Sequence, residues 1–593
     1  MSAESAYNIT VTRRVRWAFA LIVFGFLIIF SRTVQLTVVD RARTLALRGL
    51  VDGEPLAPPP PPGDILDRHG QLLATSAQYI SVCANPSRVA RDKQRLVARV
   101  VAAQLDMDEN EILRKLRRGG EYAVIRRGVT PDAANAVDAL GLRGVFLERS
   151  HRRVYPMGQV ACQVLGFREK SITQRPLAGV ELSQRHILDS RSGGPTDSPY
   201  ADLTPVALTS IGLRSARPGN ALVLTIDARL QAEVEALLND ALNHWAAKSV
   251  TATVMDARTG ELLCVATVPQ FDPNHFERVP ESEQTRFALL PASRAWEPGS
   301  VCKVVVVAAG LESGIISPDS HYTCRGTRRV GGWEIGCWGR YRYVGHGTLT
   351  PLETLVHSCN MCASQISEQI GARLLSEWLR EFGFGASTHS GLPAEANGVI
   401  PAADHIKPAR LATMGYGQGF QVTDLQVVQF MGAVANGGNL VPPRVVRRIE
   451  SATSREPPVA RVPLSRRVLS PEIAEMLLTM MEEVVKRGTG KQADVPGVRV
   501  AGKTGTAEKV RAVNGRAKYA DDLYISSFAG VLGAGGPRPV VIMVSLDEPK
   551  DPATGRGATG GQCAAPLFRR VGEVVLRNLD RYPTSPTVRG ESV

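Results

Sequence analysis

Hydrophobic and polar positions change rhythm several times along this 593-residue chain. From Trp17 to Phe30 there is no rhythm at all: WAFALIVFGFLIIF carries no polar side chain. At about 1.5 Å per residue that stretch is shorter than the ~30 Å hydrocarbon core of a bilayer. Extended through Arg32 and Gln35 to Val39 it is long enough to span. Pro58 to Pro62 predicts a semi-rigid spacer, and Gly63 to Gly70 a strand entering a turn. From about 64 to 190 short β-rich pieces mix with helical ones. Arg91–Leu105 and Glu109–Arg117 carry helical periodicity. Residues 191–219 are rich in Ser, Gly, Pro and Thr and mark a boundary. Beyond it Leu222–Asp227 predicts a strand and Leu230–His244 a helix. Thr253–Asp256 and Leu262–Ala266 flank Arg258-Thr259-Gly260, a hairpin signal. The second half is α/β in pattern, and the tail after Tyr582 is short and polar.

Charge gives the apolar stretch a direction. Arg13, Arg14 and Arg16 precede it, so the N-terminus is expected to stay in the cytoplasm and the rest to be exported. Ser31 to Gln35 is a poor cleavage site, which favours an uncleaved anchor over a signal peptide. Arg32 either snorkels to the outer interface or pairs with a transmembrane partner. The length calls for two or more domains, and 44% hydrophobic with 21% charged residues is the balance of a folded chain. A net charge of +13 suits nucleic acid, anionic lipid or an anionic polymer. No zinc-finger or RNA-binding signature supports nucleic acid. Arg114, Arg117, Arg118, Arg126 and Arg127 read as solvated faces. The nine cysteines are an odd number, so internal bridging leaves at least one over. Cys324 and Cys337 flank a Gly-rich loop and suggest a disulfide. Cys359-x-x-Cys362 has redox or zinc spacing, but with no second such pair and no nearby His pair a metal is not expected.

Three short motifs carry the candidate chemistry. Ser300-Val301-Cys302-Lys303 follows Pro298-Gly299 and opens a run of valines and alanines that reads as a buried helix. Ser300 then sits at the helix N-terminus with Lys303 one turn later on the same face. Alone, this pattern is more often a helix cap with a surface lysine. Ser358-Cys359-Asn360 and Lys503-Thr504-Gly505 change that reading, because the three in this order resemble the signature of serine acyl-transferases that bind penicillin, with Cys359 where that signature carries aspartate. A serine hydroxyl is a weak nucleophile and needs an adjacent base. Lys303 serves only when neutral, which burial and a second cation such as Lys503 favour. Ser358 is placed to relay a proton, and Asn360 to hold the substrate amide. Val498-Arg499-Val500 alternates as a strand into Lys503, so Lys503 to Thr506 should form a strand edge to which an extended peptide can add. Thr504 and Thr506 offer hydroxyls to a carboxylate, and Gly505 leaves room for close approach. The backbone N–H groups of Ser300 and Thr506 are candidates for an oxyanion hole, where losing one donor typically costs about 2.7–4 kcal/mol.

From the anchor to about residue 575 the chain resembles the class B penicillin-binding proteins, membrane-anchored peptidoglycan transpeptidases. Asp67-Arg68-His69-Gly70, Arg153 to Gly158, Val164 to Phe167 and Gly179-Val180-Glu181 resemble the boxes of the family's pedestal. Leu224 to Asp227 with Gln231, Thr259-Gly260-Glu261 and Phe271 to Asn274 resemble the start of its catalytic domain. Gly417-Gln418-Gly419, Ala435 to Gly438, and Gly560-Gly561 with Ala564 to Phe568 resemble its later boxes. The resemblance implies an α/β (α+β) penicillin-binding transpeptidase fold, an antiparallel sheet flanked by helices, with an N-terminal pedestal domain and a single transmembrane helix. It implies a cytoplasmic tail over 1–16, an anchor over 17–39, a pedestal over 40–215, a transpeptidase domain over 216–578 and a disordered tail over 579–593.

The implied reaction cross-links peptidoglycan stem peptides through an acyl-enzyme at Ser300, with Lys303, Ser358, Asn360 and Lys503 catalytic and Thr504, Gly505 and Thr506 binding substrate. β-Lactams would acylate the same serine, and no metal or organic cofactor is implied. The place implied is the bacterial inner membrane, single-pass, with the catalytic domain on the periplasmic side. The implied partners are a polytopic membrane glycosyltransferase and divisome proteins. Lys503 to Val510 looks like the division (septal) type, whereas Cys337-Trp338 with Gly345-His346-Gly347 looks like the elongation type or some sporulation relatives. Division is favoured. Three departures stand out: Pro62 replaces an arginine before Gly63, Ala288 to Arg294 replaces an Arg-Asn-Arg-Ala-like stretch, and Cys302 and Cys359 place thiols at the site. A β-lactamase would be smaller and unanchored, and a signalling β-lactam receptor would need more than the short segment before the anchor.

Overall fold

The structure is a computed structural model that describes residues 17, 24, 26, 60–171, 174–189, 219–451, 464–513 and 516–579. The anchor predicted over 17–39 lies outside the described residues except for Trp17, Phe24 and Phe26, and so do the cytoplasmic tail over 1–16 and nearly all of the predicted boundary and C-terminal tail. Among the described residues no helix is long and apolar enough to cross a membrane. The chain divides into two compact units, and neither is one continuous stretch.

The smaller unit includes Ala77–Arg152. Its helices Gln94–Leu105, Glu109–Arg117 and Pro131–Ala139 bury Val97, Val101, Leu105, Ile112, Leu116 and Val137 against Val82, Ala84 and Ile125 of its strands. Asp108 accepts from the Asn110 amide and Thr130 from the Ala133 amide, which caps the second and third helices. The first helix starts three residues later than its periodicity suggested. Asp92 and Lys93 form a turn ahead of Gln94.

The larger unit combines Pro62–Ser76, Arg153–Asp189 and the chain from Gly219 onward. Its centre is an antiparallel sheet of five strands: β1 (Ser249–Asp256), β2 (Leu262–Val268), β3 (Val500–Val513), β4 (Arg516–Leu532) and β5 (Val540–Asp547), in the order β3-β4-β5-β1-β2. The turn at Arg258-Thr259-Gly260 joins β1 to β2, as the hairpin signal predicted. Side chains alternate between two cores, as the period of a strand requires. Val540, Ile542 and Val544 enter one core, and Val541 and Met543 the other. The first core is closed by α1 (Ala228–His244) and α7 (Ala564–Leu579), with the Phe528 and Phe568 rings 4.6 Å apart. The second is closed by α2 (Cys302–Glu312) and α5 (Asp424–Ala435). Every residue of α5 is buried, so that helix shows no amphipathic stripe. Thr423 and Gln426 fix its start in a reciprocal capping box. Helices α3 (Pro351–Val356), α4 (Asn360–Ile370) and α6 (Pro471–Arg487) complete the set around the site. The strand predicted at Leu222–Asp227 forms over Ala221–Leu224. It joins Ile65–Leu66 and Val446–Glu450 rather than the central sheet.

Glu181 is fully buried between Arg153 and Arg168 in this unit, with Arg153 Nε 2.6 Å from Oε1 and Arg168 paired to Oε2. Burial alone would raise the Glu181 carboxyl, but the two guanidiniums hold it below the usual carboxylate range.

Candidate active site

Ser300 lies in a tight turn, Gly299–Val301, that runs straight into α2. Lys303 follows one turn on and is fully buried. Its Nζ donates to Ser300 Oγ at 2.8 Å, Ser358 Oγ at 3.1 Å, the Ser358 carbonyl at 2.6 Å and Asn360 Oδ1 at 2.7 Å. The first two motifs therefore meet on a single ammonium group. Ser358 sits in the bend between α3 and α4 with φ of +53°, a left-handed conformation that costs a non-glycine residue about 1 kcal/mol or more. That conformation turns both the carbonyl and the hydroxyl of Ser358 toward Lys303. Asn360 opens α4, so its side chain enters the site from a helix end.

Lys503 approaches from β3. Its Nζ donates to Ser358 Oγ at 3.0 Å and to Thr504 Oγ1 at 3.1 Å, and it too is fully buried. The two lysines thus share one hydroxyl. Burial pulls Lys303 down to about 8. Burial, reinforced by the Lys303 charge, holds Lys503 well below the usual ammonium range. Two full charges at one buried site are disfavoured, so the pair favours a single shared positive charge.

The strand carrying Lys503 is the edge of the sheet, as the alternation before it suggested. Its register sets Lys503 opposite Ala529, Gly505 opposite Ser527 and Thr506 opposite Ser526. Gly505 faces the turn that carries Ser300: a β-carbon there would lie 2.3 Å from Ser527 Oγ, 3.0 Å from Val301 Cγ2 and 3.3 Å from the Pro298 carbonyl. Only glycine lets strand and turn approach this closely. Thr506 Oγ1 accepts from the Gly560 amide at 3.0 Å, a bond that does not use the hydroxyl proton. Thr504 is buried, and its Oγ1 lies 2.7 Å from Thr489 Oγ1.

The sequence reading did not single out Thr489, Ser527 or Glu297. Thr489 and Ser527 reach the site through strand register and a helix end, with no motif of their own. Glu297, three residues before Ser300, accepts from the Gly419 amide at 2.7 Å and from Tyr519 Oη at 3.1 Å. Burial raises its carboxyl. It ties the turn bearing Ser300 to the Gly417–Gly419 loop, and only its nearness to the first motif could have signalled it.

The thiols differ from expectation. No disulfide joins Cys324 to Cys337, and all nine cysteines are buried and unbridged. Cys337 Sγ lies instead 3.9 Å from Cys359 Sγ. Cys362, the other half of the Cys-x-x-Cys pair, donates to the Tyr322 carbonyl at 3.5 Å.

Residues 250–573 match the family described as Penicillin binding protein transpeptidase domain, and residues 57–186 match Penicillin-binding Protein dimerisation domain. The chain is 30% identical to Stage V sporulation protein D of Bacillus subtilis over 587 residues, covering 98% of this chain and 87% of that protein. It is 30% identical to Peptidoglycan D,D-transpeptidase FtsI of Escherichia coli over 533 residues, covering 88% of this chain and 85% of that protein. The crystal structure of penicillin binding protein 3 from Mycobacterium tuberculosis complexed with aztreonam matches with a TM-score of 0.66 at 27% identity, covering 90% of this chain and 99% of that one. With its three motifs joined at Ser358 Oγ, the chain belongs to the class B penicillin-binding proteins, the peptidoglycan D,D-transpeptidases.

Proposed function

We propose that Ser300 is the nucleophile of this transpeptidase and that the enzyme cross-links stem peptides during septal wall synthesis. One observation carries the site assignment: Lys303 Nζ stands within hydrogen-bond reach of both Ser300 Oγ and Ser358 Oγ. Neutral Lys303 takes the Ser300 proton while Oγ attacks the penultimate D-Ala carbonyl. The backbone N–H groups of Ser300 and Thr506 receive the oxyanion. As the C–N bond breaks, the proton passes from Lys303 through Ser358 to the departing D-Ala amine. Lys503 lowers the cost of neutral Lys303 and orients the Ser358 hydroxyl. Asn360, whose Oδ1 is held by Lys303 and whose Nδ2 lies 3.5 Å from the Gly336 carbonyl, offers its second amide N–H to the substrate amide carbonyl. An extended peptide pairs with β3 at its open edge, and the Thr506 hydroxyl, with Thr504 behind it, meets the terminal carboxylate. An amine from a second stem peptide then attacks the acyl-enzyme, forms the cross-link and frees Ser300.

β-Lactams acylate the same serine in this reading, which the aztreonam complex of the mycobacterial relative supports. A transmembrane anchor over 17–39 holds the enzyme to the inner membrane with its catalytic domain outside, beside a polytopic glycosyltransferase and other divisome proteins. Residues 40–215 form the pedestal in this reading, and 216–578 the transpeptidase domain. The name of the E. coli relative and the residues Lys503 to Val510 favour the septal role. The segment Cys337 to Gly347 favours the second reading, an elongation enzyme. Incubation with a stem pentapeptide tests the chemistry: D-Ala release and dimer formation are expected from the wild type and neither from Ser300→Ala. Turnover by Ser300→Ala at the wild-type rate would remove Ser300 from the reaction. A tagged chain gathering at midcell supports the septal role, and lateral-wall signal alone supports elongation.

A further inference from the structure

We propose that Cys324, Cys337, His346 and Cys359 form a zinc site that clamps the turn bearing Ser358 and Asn360. Their ligand atoms all lie within 4.8 Å of one another. Sequence spacing hides the group, because two strand pairings and a helix start assemble it. Strand Tyr322–Cys324 pairs with Gly347–Leu349 in a register that sets Cys324 opposite Gly347 and so beside His346. The hairpin of Thr327–Val330 and Trp333–Gly336 returns the chain to Cys337, whose amide donates to the Gly326 carbonyl at 2.7 Å. Cys359 caps α4 and lies between Ser358 and Asn360.

The distances are those of a tetrahedral site. Zinc–sulfur bonds of about 2.3 Å and zinc–nitrogen bonds of about 2.0–2.1 Å put two sulfurs about 3.8 Å apart, and sulfur and nitrogen about 3.6 Å apart. Cys337 Sγ lies 3.9 Å from Cys359 Sγ and 3.5 Å from His346 Nδ1. A disulfide needs sulfurs at about 2.05 Å. The His346 ring is aimed by stacking on Tyr341, with centroids 3.8 Å apart, and its Nε2 is buried with no hydrogen-bond partner among the described residues. Three thiolates and one imidazole match a structural zinc set in kind and number. Four protein donors leave no open position, so the ion would hold backbone in place rather than activate water. The backbone it would hold is functional: the Ser358 carbonyl and Asn360 Oδ1, on either side of Cys359, both accept from Lys303.

The test uses the full chain in detergent, without a polyhistidine tag, purified under reducing conditions with zinc supplied. Mass spectrometry of the metal should find about one zinc per chain after gel filtration. Replacement by cobalt should give the thiolate charge-transfer band and visible bands of a tetrahedral site. Cys324→Ser with His346→Ala should abolish both, whereas Cys362→Ser, outside the cluster, should leave them intact. Stripping the zinc should slow acylation by a fluorescent penicillin at least about tenfold with circular dichroism unchanged, and zinc should restore it, because a small misplacement of a proton relay is costly. The proposal is overturned by wild-type protein without stoichiometric zinc, by metal that survives the double substitution, or by a Cys337–Cys359 disulfide in the untreated chain. Metal present with acylation indifferent to its removal overturns the clamp.

Discussion

If Lys303 is the base, acylation must follow its deprotonation. Burial brings Lys303 to about 8, so at pH 7 only about a tenth of the enzyme holds it neutral, and at pH 9 about nine-tenths. The sign follows directly: the reactive form is the deprotonated one, so the second-order rate constant for acylation falls about tenfold per pH unit below 8 and levels off above. That slope amounts to about 1.4 kcal/mol of barrier per unit. Because Lys303 and Lys503 share Ser358 Oγ, the midpoint belongs to the pair rather than to Lys303 alone. Stopped-flow mixing with a fluorescent penicillin at constant ionic strength reads the profile from pH 6 to pH 9. Lys303→Arg, which stays charged throughout, should acylate at least about 100-fold more slowly with no rise toward pH 9. A wild-type rate that is flat between pH 6 and 8, or that climbs as pH falls, would refute a neutral lysine base.

Glu181→Gln leaves buried Arg153 without a carboxylate and Arg168 with Asp189 alone, and should cost about 3–5 kcal/mol in denaturant unfolding. For the wild type, the Glu181 contribution is present above its unfolded value near 4.3 and is lost as pH falls through its lower folded value, so acid unfolding should shift accordingly. Gly505→Ala drives a methyl into Ser527 Oγ and Val301, and should slow acylation about 100-fold by separating strand from turn, as stopped-flow labelling would show. Thr489→Val removes one of the two partners of Thr504 Oγ1, leaving the Lys503 ammonium on it, and should cost about 1 kcal/mol of stability in thermal melts.

Local signals carried much of this molecule. The order of the three motifs, the edge position of Lys503 and the hairpin at Arg258-Thr259-Gly260 were legible because each depends on a few neighbouring residues. Glu109–Arg117 was legible for the same reason: Asp108 caps it and one face is apolar. What the sequence withheld was long-range. The strand at Ala221–Leu224 looks like any other short apolar run, and only pairing with Ile65–Leu66 and Val446–Glu450 takes it out of the central sheet. The left-handed Ser358 is invisible as composition, yet it aims its carbonyl and hydroxyl at Lys303. The cysteines misled because spacing suggested Cys324–Cys337 or Cys359–Cys362, whereas the fold gathers Cys324, Cys337 and Cys359 around His346. Thr489 reaches the site only because α6 ends beside β3.

The central claim is that acyl transfer runs through Ser300, and the most direct measurement locates the acyl group. The full chain is treated with benzylpenicillin, quenched, digested and sequenced by tandem mass spectrometry. The account predicts a single penicilloyl adduct on Ser300, absent from Ser300→Ala and from enzyme first exhausted with aztreonam. An adduct on Cys302, Cys359 or Ser358 that persists in Ser300→Ala would contradict it.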